Sequence, residues 1–276
     1  MAALELDANG FKFSAEATGP SDGELVLLLH GFPQSAAEWN CVLPFLADAG
    51  YAAVAPDQRG YAAGARPSGL DAYRIENLVA DAIGFADNLG VERFHLVGHD
   101  WGGMVAWQVA GRHAERLLTL TVVSTPHPLA FRKALEGQDQ QQRSAYMDFF
   151  RSPESTEALL ADDAALLRAM FERSGLETGF EPYVAKMQEP GALDAALNWY
   201  RAVDVTGADG LGPITTPTLY VWSDDDIALG EEAARATEGN VSGPYTFAEL
   251  TGVSHWIPDR APDVLAALLL QHLASI

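Results

Sequence analysis

Short runs of apolar residues alternate with segments of helical periodicity through the first half of the chain. The stretches "ELVLLLHG", "YAAVAP", "FHLVGH" and "LTLTVVS" contain continuous apolar runs of strand length, which is typical of strands that are buried on both faces of a sheet. Residues 75–89 (IENLVADAIGFADNL) lie between two of these runs and carry apolar side chains at helical spacing. This alternation predicts right-handed βαβ crossovers and a mostly parallel sheet.

The alternation of short strands and helices does not hold near the start of the chain or in its middle third. Two strand-like stretches flank Asn9-Gly10 near the start of the chain, and this pair predicts the tight turn of a hairpin. Residues 132–205 carry helical signals and no buried-strand pattern, whereas "TPTLYVWSDDD" and "PYTFAEL" resume it and residues 262–273 predict a closing helix. The predicted fold is therefore α/β, with a core over residues 1–131, an all-helical insertion over residues 132–208 and the rest of the core over residues 209–276.

Composition narrows the choice of partners. The chain has 38 Asp and Glu residues against 17 Lys and Arg residues, giving a formal net charge of −21. Such a surface repels phosphate backbones and anionic lipid, so we expect no nucleic acid and no membrane as a partner. The lone Cys41 excludes an internal disulfide and fits a reducing compartment. The N-terminus does not have the pattern of a signal peptide, so we expect a cytoplasmic protein. For the oligomeric state we expect a monomer or a homodimer.

The candidate chemistry begins in "FHLVGHDWGG", where a predicted strand ends and a helix follows. Gly98 and Gly102 bracket Asp100 at the position where the strand–turn–helix motif of a serine hydrolase carries its nucleophile. Asp100 could instead be a helix N-cap. Two later segments favour catalysis, because "YVWSDDDIAL" places an acidic cluster after a strand and "LTGVSHWIPD" places His255 after the next one. The order nucleophile, acid, histidine is that of the α/β-hydrolase triad.

A second predicted loop would stabilise negative charge. In the α/β-hydrolase arrangement, an amide in the loop after an early strand pairs with the amide that follows the nucleophile. The backbone N–H groups of Phe32, in "LLLHGFPQS", and of Trp101 are the candidates. The acidic and histidine residues do not fall at zinc-like spacing, and residues 98–103 do not match G-x-G-x-x-G. We therefore expect neither a metal nor a cofactor.

Four motifs, "HGFP", "PDQRGY", "GHDWGG" and "SHWIPD", occur in this order over nearly the whole chain. Together they resemble the α/β-hydrolase-fold epoxide hydrolases, which are related to the haloalkane dehalogenases. The resemblance implies that the helical insertion is a cap with two tyrosines that polarise the epoxide oxygen. "ALNWYRA" supplies Tyr200 and "SAYMDFFRSPEST" supplies Tyr146, with Tyr183 as the alternative to the latter. It also places the triad acid at Asp226, while Asp225 stays open.

The function implied by this resemblance is hydrolysis of a small, mostly apolar epoxide to a vicinal diol through an aspartyl ester on Asp100. His255 would activate the water that hydrolyses the ester. The residues expected to contact the substrate are Phe32, Trp101, Trp199 and Trp256. Two alternatives stay open: a haloalkane dehalogenase that uses the same aspartate, and a non-catalytic small-molecule receptor built on the same fold.

Overall fold

The computed structural model describes residues 1–205, 207 and 211–275. The strands within these residues are β1 (Ala2–Ala8), β2 (Phe11–Thr18), β3 (Leu25–Leu29), β4 (Ala52–Pro56), β5 (Phe94–His99), β6 (Leu117–Val123), β7 (Thr218–Asp225) and β8 (Tyr245–Ser254). They form one sheet in the order β1-β2-β4-β3-β5-β6-β7-β8. The pairs β1–β2 and β2–β4 are antiparallel, and the pairs from β4–β3 onward are parallel. The predicted hairpin and mostly parallel sheet are confirmed.

Helices follow most of the strands and also occupy the segment between β6 and β7. They are α1 (Leu43–Asp48), α2 (Ile75–Asn88), α3 (Trp101–Arg112), α4 (Pro128–Ala134), α5 (Gln138–Arg143), α6 (Tyr146–Arg151), α7 (Ser155–Arg173), α8 (Glu181–Gln188), α9 (Ala192–Ala202), α10 (Glu231–Ala236), α11 (Ile257–Arg260) and α12 (Pro262–Leu273). The backbone of α7 departs from helical geometry at residues 161–164. Within the described part of the chain, no helix combines the length and apolar character that crossing a membrane requires.

The central strands of the sheet, such as β3 and β5, are buried on both faces, as their continuous apolar runs predict. Leu25, Leu27 and Leu29 of β3 face one hydrophobic core, which α2 and α3 complete. The intervening Val26 and Leu28 face the other core, which α1 and α12 complete. Because successive side chains of a strand point to opposite faces, a run of five apolar residues supplies both cores at once.

Between β6 and β7 the helices α4 to α9 are joined by short loops among the described residues. The first of these helices, α4, begins at Pro128 and contacts α10 of the core, so the predicted start at residue 132 falls inside this helix. The predicted end at residue 208 lies outside the described residues. The boundaries 1–131, 132–208 and 209–276 therefore stay predictions.

Candidate active site

The loops that leave the carboxyl ends of β3, β5, β7 and β8 converge at one edge of the sheet. Asp100 follows β5 in a sharp turn, with a φ of +50° and a ψ of −118°, a conformation that is rarely populated by a residue other than glycine. A Cβ on Gly98 would lie 2.2 Å from the carbonyl oxygen of Gly102. The turn can close only because these flanking residues are glycines, and it presents the Asp100 carboxylate above the start of α3.

The structure brings Asp100, His255 and Asp226 together. His255 Nδ1–H donates to Asp226 Oδ2 at 2.7 Å, and His255 Nε2 lies 3.5 Å from Asp100 Oδ2. The second oxygen of Asp226 accepts the backbone N–H groups of Ala228 and Leu229 at 2.8 and 3.0 Å. Asp226 is thus fixed in a buried position as the partner of the histidine.

The two neighbouring aspartates have different environments from Asp226. Asp224 accepts the backbone N–H of Gly252 at 2.7 Å, and Asp225 is exposed at the end of β7. The 2.7 Å contact with the histidine belongs to Asp226. The placement therefore favours Asp226 over Asp225, the choice that the sequence left open.

The charges of the three side chains are strongly coupled. Burial alone would lower the pKa of His255, but the Asp226 charge and the hydrogen bonds with Asp100 and Asp226 raise it to about 10. Burial alone would likewise raise the pKa of Asp100, yet the hydrogen bond and charge of His255 hold it below its ordinary value. In the resting protein a histidine cation therefore lies between two carboxylates, and Asp100 is ionised at neutral pH.

The loop after β3 lies directly against Asp100. The backbone N–H of Phe32 donates to Asp100 Oδ1 at 2.8 Å. His30 supports this loop from below, because its Nδ1–H donates to the Gly31 carbonyl at 2.9 Å and its Nε2 accepts the Gln58 N–H at 3.0 Å. Trp101, the other expected donor, is the first residue of α3.

Tyr146 of α6 and Tyr200 of α9 lie close to Asp100, and all three residues line one cavity. Burial, the neighbouring Tyr146 phenol and the Asp100 charge raise the pKa of Tyr200 well above its ordinary value. Burial also raises the pKa of Tyr146, with Asp100 contributing. Both phenols are therefore protonated at neutral pH and can donate hydrogen bonds. The alternative, Tyr183, donates its hydroxyl proton to Asp259 at 2.6 Å and lies elsewhere, so the placement favours Tyr146.

This cavity, of about 310 Å³, lies between the helices α6, α7 and α9 and the carboxyl edge of the sheet. It is lined mainly by apolar side chains around a few polar groups, namely Phe32, Asp100, Arg143, Tyr146, Phe149, Phe150, Leu159, Leu166, Met170, Arg173, Ser174, Tyr200, Ile227, Ala228, His255 and Trp256. Trp101 instead lines a smaller adjoining cavity of about 40 Å³, which also reaches Asp100.

The expectation that Trp199 contacts the substrate is not supported by its position. Its indole N–H donates to the Arg59 carbonyl at 2.9 Å, and its ring packs against Trp101 with the centroids 5.7 Å apart. Trp199 is buried and supports Trp101 from behind instead of lining the main cavity. In α9 the adjacent Tyr200 takes the position above Asp100, because neighbouring residues of a helix point in different directions.

Sequence reasoning missed several residues that shape the site. Arg143 donates to the backbone carbonyl of Asp226 at 2.7 Å and so braces the triad loop. Ser174 accepts the indole N–H of Trp256 at 2.9 Å, which ties the end of α7 to the residue after His255. The only signal for them was their position in helical segments that the cap pattern had already outlined. Across the described residues, no group of three or more His, Cys, Asp or Glu side chains is arranged to hold a metal ion.

Comparison with known proteins agrees with this geometry. Residues 24–257 match a protein family whose description is alpha/beta hydrolase fold. The chain is 35% identical over 281 aligned positions to AB hydrolase superfamily protein YfhM of Bacillus subtilis, covering 98% of this chain and 97% of that protein. It is 32% identical over 314 positions to Epoxide hydrolase A of Mycobacterium tuberculosis, with the same coverage.

A solved structure shows the same fold over almost the whole chain. The crystal structure of the Bacillus megaterium epoxide hydrolase in complex with an inhibitor superposes with a TM-score of 0.89 at 26% identity, covering 99% of this chain and 100% of that chain. The family match, the two relatives and this shared architecture agree with the motifs found in the sequence. The chain belongs to the epoxide hydrolase family of the α/β hydrolase fold.

Proposed function

We propose that this protein hydrolyses an epoxide to a vicinal diol through a covalent ester on Asp100. The observation that carries the proposal is the placement of an ionised aspartate opposite two protonated phenols in one apolar cavity, with a histidine–carboxylate pair beside it. The relatives named as epoxide hydrolases support the same reaction.

In the first step an Asp100 carboxylate oxygen attacks one ring carbon, and the bond from that carbon to the epoxide oxygen breaks. The oxygen becomes an alkoxide, which accepts hydrogen bonds and then a proton from the cap phenols. Tyr146 and Tyr200 suit this task because their raised pKa values keep them protonated. An alkyl ester now joins Asp100 to the opened substrate.

In the second step the His255 ring, once neutral, removes a proton from water, and the hydroxide attacks the ester carbonyl carbon. Ester formation removes the negative charge of Asp100, one of the two carboxylates that raise the pKa of His255, so this pKa falls and the imidazolium passes its extra proton to the phenolate left by the first step, which leaves a neutral ring that can act as the base. The Phe32 and Trp101 amides hold the oxyanion. Collapse breaks the bond between the ester carbonyl carbon and the alkyl oxygen, which takes the proton of the new carboxyl group, so the diol is released with Asp100 again a carboxylate and His255 again a cation.

The lining of the cavity supports a mostly apolar substrate. Aromatic and aliphatic side chains from α6 and α7 surround the space next to Asp100, including Phe149, Phe150, Leu159 and Met170. A volume of about 310 Å³ is at the lower end of the range for small-molecule sites. We therefore propose a small epoxide whose substituent is aryl or alkyl.

The test compares the wild-type protein with Asp100→Ala on matched aryl and alkyl epoxides and on primary haloalkanes, with diol and halide both quantified. We expect diol from the wild type and none from the variant, with Asp225→Asn as a folded control that keeps activity. Release of halide without diol would replace the proposal by dehalogenation. A ligand that binds and is recovered unchanged would indicate a receptor.

A single turnover in oxygen-18 water separates the covalent route from direct hydration. On the ester route the heavy oxygen enters the Asp100 carboxylate first and is found in the peptide that contains it. Label in the first equivalent of diol, with none in Asp100, would show direct attack of water on the epoxide and would overturn the covalent mechanism.

A further inference from the structure

Two fully buried titratable side chains lie directly behind the proposed site and are not used in the reaction. Glu38 belongs to the short helical turn Ala36–Trp39 after β3, and His99 is the last residue of β5, immediately before Asp100. Both side chains are 0% exposed, and Glu38 Oε1 lies 3.4 Å from His99 Nδ1. Among the described residues neither of these two atoms has another hydrogen-bond partner.

The other ends of the two side chains reach the loops that form the site. Glu38 Oε2 accepts the backbone N–H of Gly31 at 3.1 Å. His99 Nε2 lies 3.0 Å from the backbone carbonyl of His255. A carbonyl can only accept, so Nε2 carries the proton, and in a neutral imidazole Nδ1 is then an acceptor. Two acceptors facing each other in a dry interior would be costly, so a proton lies between Glu38 Oε1 and His99 Nδ1.

The environment indicates where that proton is held. Burial and the Asp100 charge raise the pKa of Glu38 well above its ordinary value. Burial and the neighbouring His255 lower the pKa of His99 to about 4. The charges of Asp100 and Asp259 act on the pKa of His99 in the opposite direction. A neutral carboxylic acid that donates to a neutral imidazole satisfies both atoms and adds no further charge beside the nucleophile.

We infer that Glu38 and His99 form a neutral hydrogen-bonded pair, and this inference rests on the proposed function. The pair positions three segments against one another: the loop after β3 that carries Phe32, the turn at Asp100 and the loop at His255. Glu38 controls the loop through Gly31, whose α-carbon is so close to the nucleophile that an added Cβ would lie 2.6 Å from Asp100 Cβ. His99 controls the histidine loop through the His255 carbonyl, to which Ser124 Oγ also donates at 3.1 Å. Both are positioning residues, because neither touches the substrate.

The reason this pair affects the rate is geometric. The next residue after Gly31 is Phe32, whose N–H donates to Asp100, and the residue after His99 is Asp100 itself. A displacement of about 1 Å between reacting groups can cost roughly 100-fold in rate. Loss of the Glu38–His99 link should therefore reduce turnover more than it affects binding in the cavity.

Paired substitutions of Glu38 test the pair on the proposed epoxide hydrolysis. In Glu38→Gln the amide oxygen can accept from Gly31 and the amide nitrogen can donate to His99, as the neutral acid does. We expect this variant to keep most of the turnover with an unchanged pH profile. Glu38→Met, of similar volume but without either hydrogen bond, should lose roughly 10- to 100-fold in kcat with a smaller change in KM.

Thr119→Val is the matched control, since it removes a buried hydrogen bond between Thr119 of β6 and His95 of β5. This bond lies toward the ends of the two strands that are opposite to Asp100. Thr119→Val should lower thermal stability without lowering kcat. Equal losses in Glu38→Gln and Glu38→Met, a shifted acid limb in Glu38→Gln, or full turnover in Glu38→Met would each overturn the inference.

A measurement on the wild type keeps the inference independent of activity and of how the variants fold. Nitrogen-15 NMR of histidine-labelled protein, with His99 assigned through His99→Gln, should show a neutral ring that is protonated at Nε2 and unprotonated at Nδ1. An imidazolium signal at neutral pH would overturn the neutral pair. Absence of diol from the wild type would instead count against the proposed function, and the two failures are therefore distinguishable.

Discussion

The backbone N–H of Phe32 donates to Oδ1 of Asp100 at 2.8 Å. The amide that we propose as an oxyanion donor therefore already binds the carboxylate of the resting protein. After ester formation the same oxygen would become the carbonyl oxygen that gathers negative charge when water attacks. An amide that is fixed before the reaction need not reorganise during it, which is the source of most electrostatic stabilisation in enzymes.

This contact predicts a large effect of a methyl group at Gly31. In Gly31→Ala the new Cβ would lie 2.6 Å from Asp100 Cβ, so the loop or the nucleophile must move. We expect kcat to fall by roughly 100-fold while the protein stays folded by circular dichroism. Gly239→Ala, where the added Cβ meets no atom within 4 Å, is the control. Unchanged turnover in Gly31→Ala would show that the amide contact contributes nothing to the reaction.

Adjacent aspartates provide a second comparison. Asp226→Asn replaces the carboxylate that holds His255 Nδ1 at 2.7 Å and should lower kcat by roughly 10³- to 10⁴-fold, because a neutral amide neither orients the ring nor stabilises its cation. Asp225→Asn removes an exposed carboxylate and should leave kcat within about twofold. Steady-state kinetics of the two variants check this prediction, and the reverse ranking would assign the acid to Asp225.

Tyr146 and Tyr200 should both contribute to stabilising the alkoxide that forms when the epoxide opens. Tyr146→Phe and Tyr200→Phe each remove one donor to the developing alkoxide, so we expect each to lower the rate of ester formation by roughly 10- to 100-fold. The double variant should lose far more than either single variant. Pre-steady-state quench experiments measure this step separately from ester hydrolysis. Tyr183→Phe, which loses a hydroxyl bonded to Asp259, is the control, and an equal loss there would contradict the assigned roles.

Sequence reasoning predicted the fold well because its signals are local and repeated. Continuous apolar runs gave the strands of the parallel sheet, and Asn9-Gly10 gave the hairpin between β1 and β2. Asp100, His255 and the acidic cluster of residues 224–226 could be proposed because each follows a predicted strand and the carboxyl ends of parallel strands meet at one edge, whereas the choice of Asp226 within the cluster came from the resemblance. The positions of these residues after successive strands therefore indicated that they would lie close together.

What sequence reasoning missed depends on contacts between distant segments. Trp199 and Tyr200 are adjacent, yet only Tyr200 lines the main cavity, and the direction of each side chain depends on how α9 docks. From the sequence alone, Glu38 would be expected to be an ordinary surface glutamate in a loop. It is buried because β5 and the loop that carries His255 pack close to it. No local pattern encodes such packing.

The raised pKa of His255 predicts a dependence of stability on pH. An unfolded histidine has a pKa near ~6.5, whereas the folded value is raised to about 10, since the charge and hydrogen bonds of the two carboxylates outweigh burial. Below the unfolded pKa both states are protonated and the stabilisation is fully present. Between the two values the folded state binds more protons than the unfolded state, so the free energy of unfolding falls as pH rises.

His255→Gln removes this titration while the other groups continue to titrate in both proteins. We therefore expect the wild type to exceed the variant most in stability near pH 6, with the difference shrinking steadily up to pH 10. Urea unfolding at matched pH values measures both curves, and their difference cancels the contributions of the tyrosines and lysines. Parallel curves across this range would mean that His255 is not held as a cation between Asp100 and Asp226. The proposed release of that cation by ester formation would then lose its basis.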